Sequence, residues 1–204
     1  MLVTIPPPSS LDSGFGLDEC EHALFSKFTC NYYWAGVLRN APLPALEIQN
    51  CNPANPGGVP TLPGMYVFEG TASPDIHTFW YGAPAGAANQ TEDGVKADVL
   101  ATIERLRRAN GAVWREVESA GEDVEFLAMG DFNPFACMVN AADIKDGFYR
   151  RLYDLQGYRN TWWTGAAWHT HDASLLLDFT QKVLVNMTEN VSSESNKTEG
   201  TEEL

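Results

Sequence analysis

A short apolar segment opens the chain, Leu2-Val3-Thr4-Ile5, and three prolines follow it at residues 6–8. Its composition predicts a short buried strand, and the prolines end that strand because proline has no backbone N–H to donate to a neighbour. A lone strand cannot bury itself. A chain that begins in such a strand therefore implies a missing partner.

The composition excludes several classes of partner. A length of 204 residues allows one sizeable core or two small lobes. The formal net charge of −14 argues against a nucleic acid or an anionic membrane surface, because both need clustered lysine and arginine. We expect no membrane helix and no signal peptide. Glycosylation sequons at Asn89, Asn186, Asn190 and Asn196 permit a secreted parent, so the compartment stays open.

The cysteines and histidines do not form a recognisable metal motif. None of the four cysteines, residues 20, 30, 51 and 137, belongs to a CxxC pair, so we expect free, mostly buried thiols, with one disulfide among the first three as the alternative. His169 and His171 are separated by one residue, a spacing that can bind a metal ion when it lies on a strand. Only two other histidines in the chain could complete such a site. We therefore predict no metal, and place these histidines at an interface or near a cofactor.

Apolar positions at helical spacing predict four helices, and each has a recognisable boundary. Asp18 suits the N-cap of the first, although residues 30–33 could equally be extended. Gly111 suits the end of the second, and Gly157 suits the end of the third. The polar acidic tail, 187–204, is predicted to be disordered. The four helices are expected at 18–38, 91–108, 143–156 and from residue 171 or 172 to 184.

Four further segments have the composition of strands. Residues 65–68 and 77–82 flank a turn at 71–75 and predict an antiparallel pair. Residues 124–129 and 161–164 are also strand-like, whereas the proline-rich stretch 41–64 predicts a loop with strand fragments. Together with the helices, these segments predict a mixed α+β and α/β chain with a small antiparallel sheet.

The segment from Gly157 to Leu176 is the most informative for function. It predicts a strand, then small residues, then a helix whose first turn offers free backbone N–H groups to negative charge. Gly165 would let the backbone approach a flat ligand closely. The plainer alternative is an ordinary strand-to-helix turn in which Asp172 is the N-cap.

Aromatic residues cluster at three places along the chain. Four of them are candidates for the wall of an apolar pocket that takes a small-molecule substrate: Tyr33, Trp34, Trp80 and Trp163. The alternative is that they belong to a hydrophobic core. The absence of GxSxG, P-loop and HExxH motifs leaves hydrolase, phosphotransferase and metalloprotease hypotheses without support.

Three blocks of sequence carry a family resemblance. They are residues 2–7, residues 25–38 with Leu62-Pro63-Gly64-Met65-Tyr66, and residues 157–179 centred on Thr164-Gly165-Ala166 and His169-Thr170-His171-Asp172. Over about residues 1–185 the chain resembles the flavin-dependent amine oxidase superfamily, in particular FAD-linked oxidoreductases similar to beta-cyclopiazonate dehydrogenase.

The resemblance implies the C-terminal half of a two-domain FAD-dependent fold. It assigns 1–8 to the exit strand of the FAD domain, 9–130 to the substrate domain and 131–186 to the returning FAD-domain segment. Gly165 and Ala166 would lie near the ribityl chain or pyrophosphate of FAD. The remaining implied cofactor contacts, near the ring edge or the helix start, are His171, Asp172, Ser174 and Leu175.

Two departures from the family pattern matter. Many relatives have Gly-Glu where this chain has Gly165-Ala166, and the family's GxGxxG turn is absent. We therefore expect the strand at 162–163 to lack neighbours, and FAD to be retained weakly or not at all. The implied activity is hydride transfer from a substrate C–H, typically next to nitrogen, to the flavin.

The resemblance leaves several properties open. It names no catalytic acid or base, because hydride transfer to a flavin need not have one. The oligomeric state is also open. The alternative function is that of a non-catalytic ligand-binding or relic fragment of such an enzyme.

Overall fold

The computed structural model describes residues 1–7, 14, 16–87, 91–109 and 123–199, with the backbone alone for 191–199. The chain forms two compact units. One, here called the terminal unit, comprises Met1–Thr29 and Ala136–Leu204; the other, the central unit, is Cys30–Phe135. The predicted substrate domain, 9–130, differs from the central unit chiefly because residues 16–29 lie with the terminal unit.

A six-stranded sheet organises the central unit. Its order is β3-β4-β5-β2-β6, with β7 paired to β2 outside this path, and the β2–β5, β2–β6, β3–β4 and β4–β5 pairs are antiparallel. The antiparallel pair predicted around the turn at 71–75 is confirmed as β4 and β5. The strands are β2 (Thr29–Arg39), β3 (Ile48–Gln49), β4 (Gly64–Gly70), β5 (Ile76–Ala83), β6 (Glu125–Asp131) and β7 (Phe135–Met138).

The single helix predicted over 18–38 is wrong, and the alternative that residues 30–33 are extended is confirmed, because they lie in β2. Only α1 (Glu19–Phe25) is helical, and Asp18 caps it as predicted by accepting a hydrogen bond from the backbone N–H of Glu21. Trp34, Gly36 and Leu38 are buried while the residues between them are partly exposed, which is the two-residue alternation of a strand. Pairing with β5 and β6 overrides the local helical spacing.

One face of the sheet carries the hydrophobic core of the central unit. Helix α2 (Glu92–Ala109) contributes Val95, Val99 and Ile103 to the same buried cluster as Trp34 and other strand residues. The prediction of a helix over 91–108 is confirmed, and Gly111, its predicted stop, lies outside the described residues. The strand residues of the cluster include Leu38, Met65, Phe68, Phe79 and Tyr81.

A two-stranded parallel sheet lies in the terminal unit. β1 (Leu2–Val3) pairs with β8 (Trp162–Trp163), so the chain itself supplies the partner that the first strand needs. On β8, the Trp163 N–H donates to Gln156 Oε1 at 2.9 Å, and Gln156 Nε2 donates to the Trp163 carbonyl at 2.8 Å. The expectation that the strand at 162–163 would lack neighbours is therefore wrong.

One helix prediction and the predicted disorder of the tail need correction in the terminal unit. The helix predicted over 143–156 is split into α3 (Ala141–Lys145) and α4 (Phe148–Tyr153), because Gly147 between them adopts a φ of 78°. Gly157, with a φ of 82°, stands in the left-handed conformation expected of a residue that follows a helix. The predicted disorder from 187 is wrong as far as residue 199.

The last helix, α5 (Ala173–Glu199), begins where the sequence predicts but continues beyond 184. No glycine or proline, the two residue types that most oppose a helix, occurs between its ends. Residues 200–204 lie outside the described part of the chain. The core of the terminal unit includes Val3, Phe25, Phe28, Phe148, Leu152, Trp163 and Trp168.

The cysteines differ from expectation. Cys20 and Cys51 are free but exposed, whereas Cys30 and Cys137 are disulfide-bonded.

Among the described residues there is no group of three or more histidine, cysteine or acidic side chains that could hold a metal ion. No helix in the described part of the chain is both long enough and apolar enough to cross a bilayer.

Replacing Gly36 with alanine should destabilise the central unit by about 2–3 kcal/mol. A Cβ at this position would lie 2.4 Å from the Phe79 ring and 2.8 Å from the Ala128 carbonyl oxygen, so the core ring and a neighbouring strand would both have to move. Urea unfolding followed by tryptophan fluorescence measures the change.

The matched control is Gly86→Ala. Gly86 has a φ of 78° and open space around the added Cβ, so this variant carries the backbone cost alone, about 1 kcal/mol. Equal losses of unfolding free energy in the two variants would contradict the close packing over Gly36.

Candidate functional site

The face of the sheet opposite α2 carries a cavity of about 410 Å³, here called the open-face cavity. It forms because alternate residues of β2, β4 and β5 point away from the core. The lining residues within the described part of the chain all belong to the central unit, and they are Tyr33, Glu47, Tyr66, Val67, Glu69, Trp80 and Phe135.

A register shift in β4 adds an aromatic ring to this cavity. Met65 pairs with Tyr81 and Val67 pairs with Trp80, so Tyr66 is an extra residue between two regular pairs. Its ring lies over Gly82, where a Cβ would come within 2.1 Å of it. The bulge and the missing side chain at Gly82 together let Tyr66 lie flat against the sheet.

Tyr33 stands at the centre of the aromatic surface. Its ring stacks on that of Phe135 with centroids 4.4 Å apart, and the rings of Tyr66 and Phe132 are each 6.2 Å away. The Tyr33 N–H donates to Asn133 Oδ1 at 2.7 Å, and its carbonyl accepts from the Phe132 N–H at 3.0 Å. The loop after β6 thus fixes the backbone that carries this ring.

The two cavity tyrosines are neutral at physiological pH. Burial raises the pKa of the Tyr33 hydroxyl, and the nearby Tyr66 raises it further. Burial alone raises the pKa of Tyr66. Each phenol therefore remains a hydrogen-bond donor towards a bound ligand.

Two carboxylates complete the lining. Glu47 and Glu69 are both exposed, and Glu47 Oε1 accepts a hydrogen bond from Gln49 Nε2. None of the described residues that line the cavity is basic. The cavity thus combines an aromatic surface with two negative charges and two neutral phenols.

The structure separates the four predicted pocket residues. Tyr33 and Trp80 line the open-face cavity together. Trp34 is only 2% exposed in the core of the central unit, and Trp163 is 1% exposed in the core of the terminal unit. The alternative interpretation, that these aromatic residues belong to a hydrophobic core, applies to Trp34 and Trp163. Trp34 lies on the buried face of β2, and both residues of β8 are buried.

The other cavity residues were not identified from sequence. Tyr66 depends on the bulge in β4, which has no signal in the residue pattern. The residues 130–134 do indicate a turn after β6, but the pairing of β7 with β2, which brings Phe135 to the cavity, has no local signal. Glu69 could have been found by extending the alternation of β4 beyond Phe68, which is buried.

The predicted cofactor residues lie together in the terminal unit, after β8. Gly165 has a φ of 128°, and a Cβ there would lie 3.2 Å from the Thr4 carbonyl oxygen, so the position requires glycine. Gly165 and Ala166 are partly buried. Next to them, His169 stacks on Phe179 of α5 with centroids 4.8 Å apart.

The residues at the start of α5 are exposed to solvent. Asp172 Oδ1 accepts a hydrogen bond from the Leu175 N–H at 2.9 Å, so Asp172 is an N-cap, as the plainer alternative held. His171, Asp172, Ser174 and Leu175 are all exposed, and Leu175 retains 53% of its accessible surface. Their contact with a cofactor stays a prediction.

Tyr33→Phe should reduce the loss of stability at alkaline pH. Because the folded pKa of Tyr33 is raised, its contribution to stability is complete below the unfolded pKa of about 10 and is lost as the pH rises towards the folded value. Phenylalanine does not ionise, so the free energy of unfolding should fall less steeply above about pH 10 in the variant.

Urea unfolding of both proteins across this pH range measures the effect, and the values near neutral pH serve as the internal reference. Parallel curves for the wild type and the variant would contradict a raised pKa at Tyr33.

Comparison with known proteins identifies relatives over nearly the whole chain. FAD-dependent oxidoreductase oblC of Cochliobolus heterostrophus is 32% identical over 183 residues, 88% of this chain and 37% of its own. Beta-cyclopiazonate dehydrogenase of Aspergillus oryzae is 33% identical over 188 residues, 92% of this chain and 39% of its own. FAD-dependent oxidoreductase pigF of Monascus ruber is 37% identical over 153 residues, 74% of this chain and 31% of its own. No protein-family model matches.

Solved structures give the same fold at lower identity. The fatty acid isomerase from P. acnes that produces CLA superposes with a TM-score of 0.69 at 18% identity, over 91% of this chain and 40% of its own. A protein from Exiguobacterium sp. 255-15, described as a protoporphyrinogen oxidase, has a TM-score of 0.53 at 11% identity and covers 92% of this chain. The likeness to these two structures concerns the fold alone.

The sequence relatives carry two descriptions, FAD-dependent oxidoreductase and beta-cyclopiazonate dehydrogenase, and all three are much longer than this chain. This chain spans 37% to 39% of the length of the first two. The chain is thus a relative of FAD-dependent oxidoreductases and of beta-cyclopiazonate dehydrogenase, and it corresponds to less than two fifths of their length.

Proposed function

We propose that this chain is the substrate-binding and cofactor-closing part of an FAD-dependent oxidoreductase. The whole protein would take a hydride from a substrate C–H, typically next to nitrogen. The central unit supplies a surface for the substrate. The terminal unit supplies a strand-to-helix segment for the flavin.

One observation carries this proposal: the sequence similarity covers both units. The match to beta-cyclopiazonate dehydrogenase extends over 92% of the chain, so it includes the open-face cavity and the segment after β8. A relationship limited to one unit would support a shared binding module. A relationship over both supports a shared arrangement of substrate and cofactor segments.

The terminal unit has features that fit a flat cofactor. Gly165 and Ala166 add little side-chain bulk before the start of α5, and Leu175 exposes an apolar side chain in its first turn. The cap at Asp172 limits the fit. The Leu175 N–H already donates to Asp172, so it does not point freely at a ligand. The backbone and apolar surface of this segment, more than its helix dipole, would therefore hold a flavin, which supplies the hydride-accepting chemistry.

The central unit would position the substrate. The rings of Tyr33, Tyr66 and Trp80 offer an apolar surface that displaces water from a planar ligand. The neutral hydroxyls of the two tyrosines can donate hydrogen bonds that fix its orientation. These residues bind and orient, and none is assigned a proton-transfer step.

A second function, ligand binding without catalysis, is supported by one observation. Every lining residue of the open-face cavity that the structure describes belongs to the central unit, so its aromatic surface does not depend on a cofactor. This function and the first are distinguished by whether the protein holds flavin.

A chimaera tests the enzyme proposal. In it, this chain replaces the 188-residue matching segment of beta-cyclopiazonate dehydrogenase, and the rest of that enzyme is kept. We expect the purified chimaera to hold stoichiometric flavin, measured by the absorbance near roughly 450 nm, whereas the 204-residue chain alone holds little or none.

Gly165→Val in the chimaera should abolish flavin retention, since its branched side chain would collide with the Thr4 carbonyl and cover the backbone. Glu104→Gln, an exposed change on α2 of the central unit, serves as the control and should leave flavin bound. A folded chimaera without flavin would overturn the enzyme proposal and favour ligand binding.

A further inference from the structure

We propose that the open-face cavity takes a planar apolar ligand that carries a positive charge, and that Glu47 and Glu69 select for that charge. The inference rests on the proposed function only in identifying this cavity with the substrate site. It adds the charge class of the ligand and two residues that determine specificity.

The aromatic surface favours a cation over an anion. The face of an aromatic ring carries the negative part of its quadrupole, so it attracts ammonium and other cations within about 6 Å of the ring centre. Tyr33, Tyr66, Trp80 and Phe135 supply four such rings to one cavity. The faces of these rings can hold a cation that is too large or too apolar for a simple salt bridge.

The carboxylates point to the same charge. Glu69 takes part in no ion pair within the described residues, and the hydrogen bond to Glu47 comes from the neutral amide of Gln49. Among the described residues, no cationic side chain therefore pairs with either carboxylate. An anionic ligand would meet two like charges, and a neutral one would remove water from them without replacing it.

Part of the negative charge on α2, which packs on the opposite face of the sheet, is paired. On α2, Glu104 pairs with Arg107 and Arg108, and Glu92 pairs with Lys96, so these negative charges are balanced. The unbalanced carboxylates of this unit thus include the two that line the cavity. The cavity volume of about 410 Å³ lies within the range of sites for small molecules, which suits a compact ligand with one or two rings.

The test compares three soluble probes that share a benzyl group and differ in charge. They are the cation benzyltrimethylammonium, neutral benzyl alcohol and the anion phenylacetate, each titrated into the full 204-residue chain by calorimetry. We expect the cation to bind roughly tenfold more tightly than the alcohol, and the anion more weakly than either. Raising the salt concentration should weaken only the binding of the cation.

Two variants test the role of the carboxylates. Glu69→Gln and Glu47→Gln should each weaken binding of the cation by roughly three- to tenfold and leave benzyl alcohol unchanged. Glu104→Gln removes one negative charge from α2 and should leave all three affinities unchanged. Thermal unfolding of each variant shows whether it has folded.

Equal affinities for the cation and the alcohol, or folded glutamate variants with unchanged cation binding, would overturn the inference. Failure of all three probes to bind would overturn it as well. A flavin-free chimaera would instead overturn the proposed function without altering these affinities, so the two failures are distinguishable.

Discussion

The alternation of side chains along β2 is the constraint on which both the core and the candidate site depend. Trp34, Gly36 and Leu38 point into the core, so Tyr33 must point to the opposite face. A shift of one residue in the pairing with β5 would exchange the two sets, burying the phenol and exposing the tryptophan. The same register therefore fixes the hydrophobic core and the aromatic cavity, and neither can change without the other.

Close backbone packing extends this constraint to the neighbouring strands. Gly36 lets the ring of Phe79 and the backbone of β6 approach β2 on the buried side, while Gly82 lets the ring of Tyr66 lie on the sheet on the open side. The bulge at Tyr66 then places one more ring beside Tyr33. The cavity is a consequence of how the sheet packs, which explains why its residues come from separated parts of the sequence.

The terminal unit illustrates how a short strand is stabilised without a large sheet. β8 has β1 on one side, and the side-chain amide of Gln156 donates to and accepts from Trp163 as a neighbouring strand would. The turn that follows, at Gly165, leads to the open start of α5. A relationship to FAD-dependent oxidoreductases across both units gives this open segment and the open-face cavity complementary roles in the proposed enzyme.

The sequence alone determined the elements whose signals are local. The cap at Asp18, the helix that carries Val95, Val99 and Ile103, and the β4–β5 pair all follow from residue spacing and turn chemistry, and the resemblance to a flavin-enzyme family follows from three short blocks. The tertiary structure decided the rest. It turned the second half of the predicted first helix into β2, paired β1 with β8, and assigned Trp34 to the core but Tyr33 to the cavity. These outcomes depend on contacts between residues far apart in the chain, and local periodicity carries no information about such contacts.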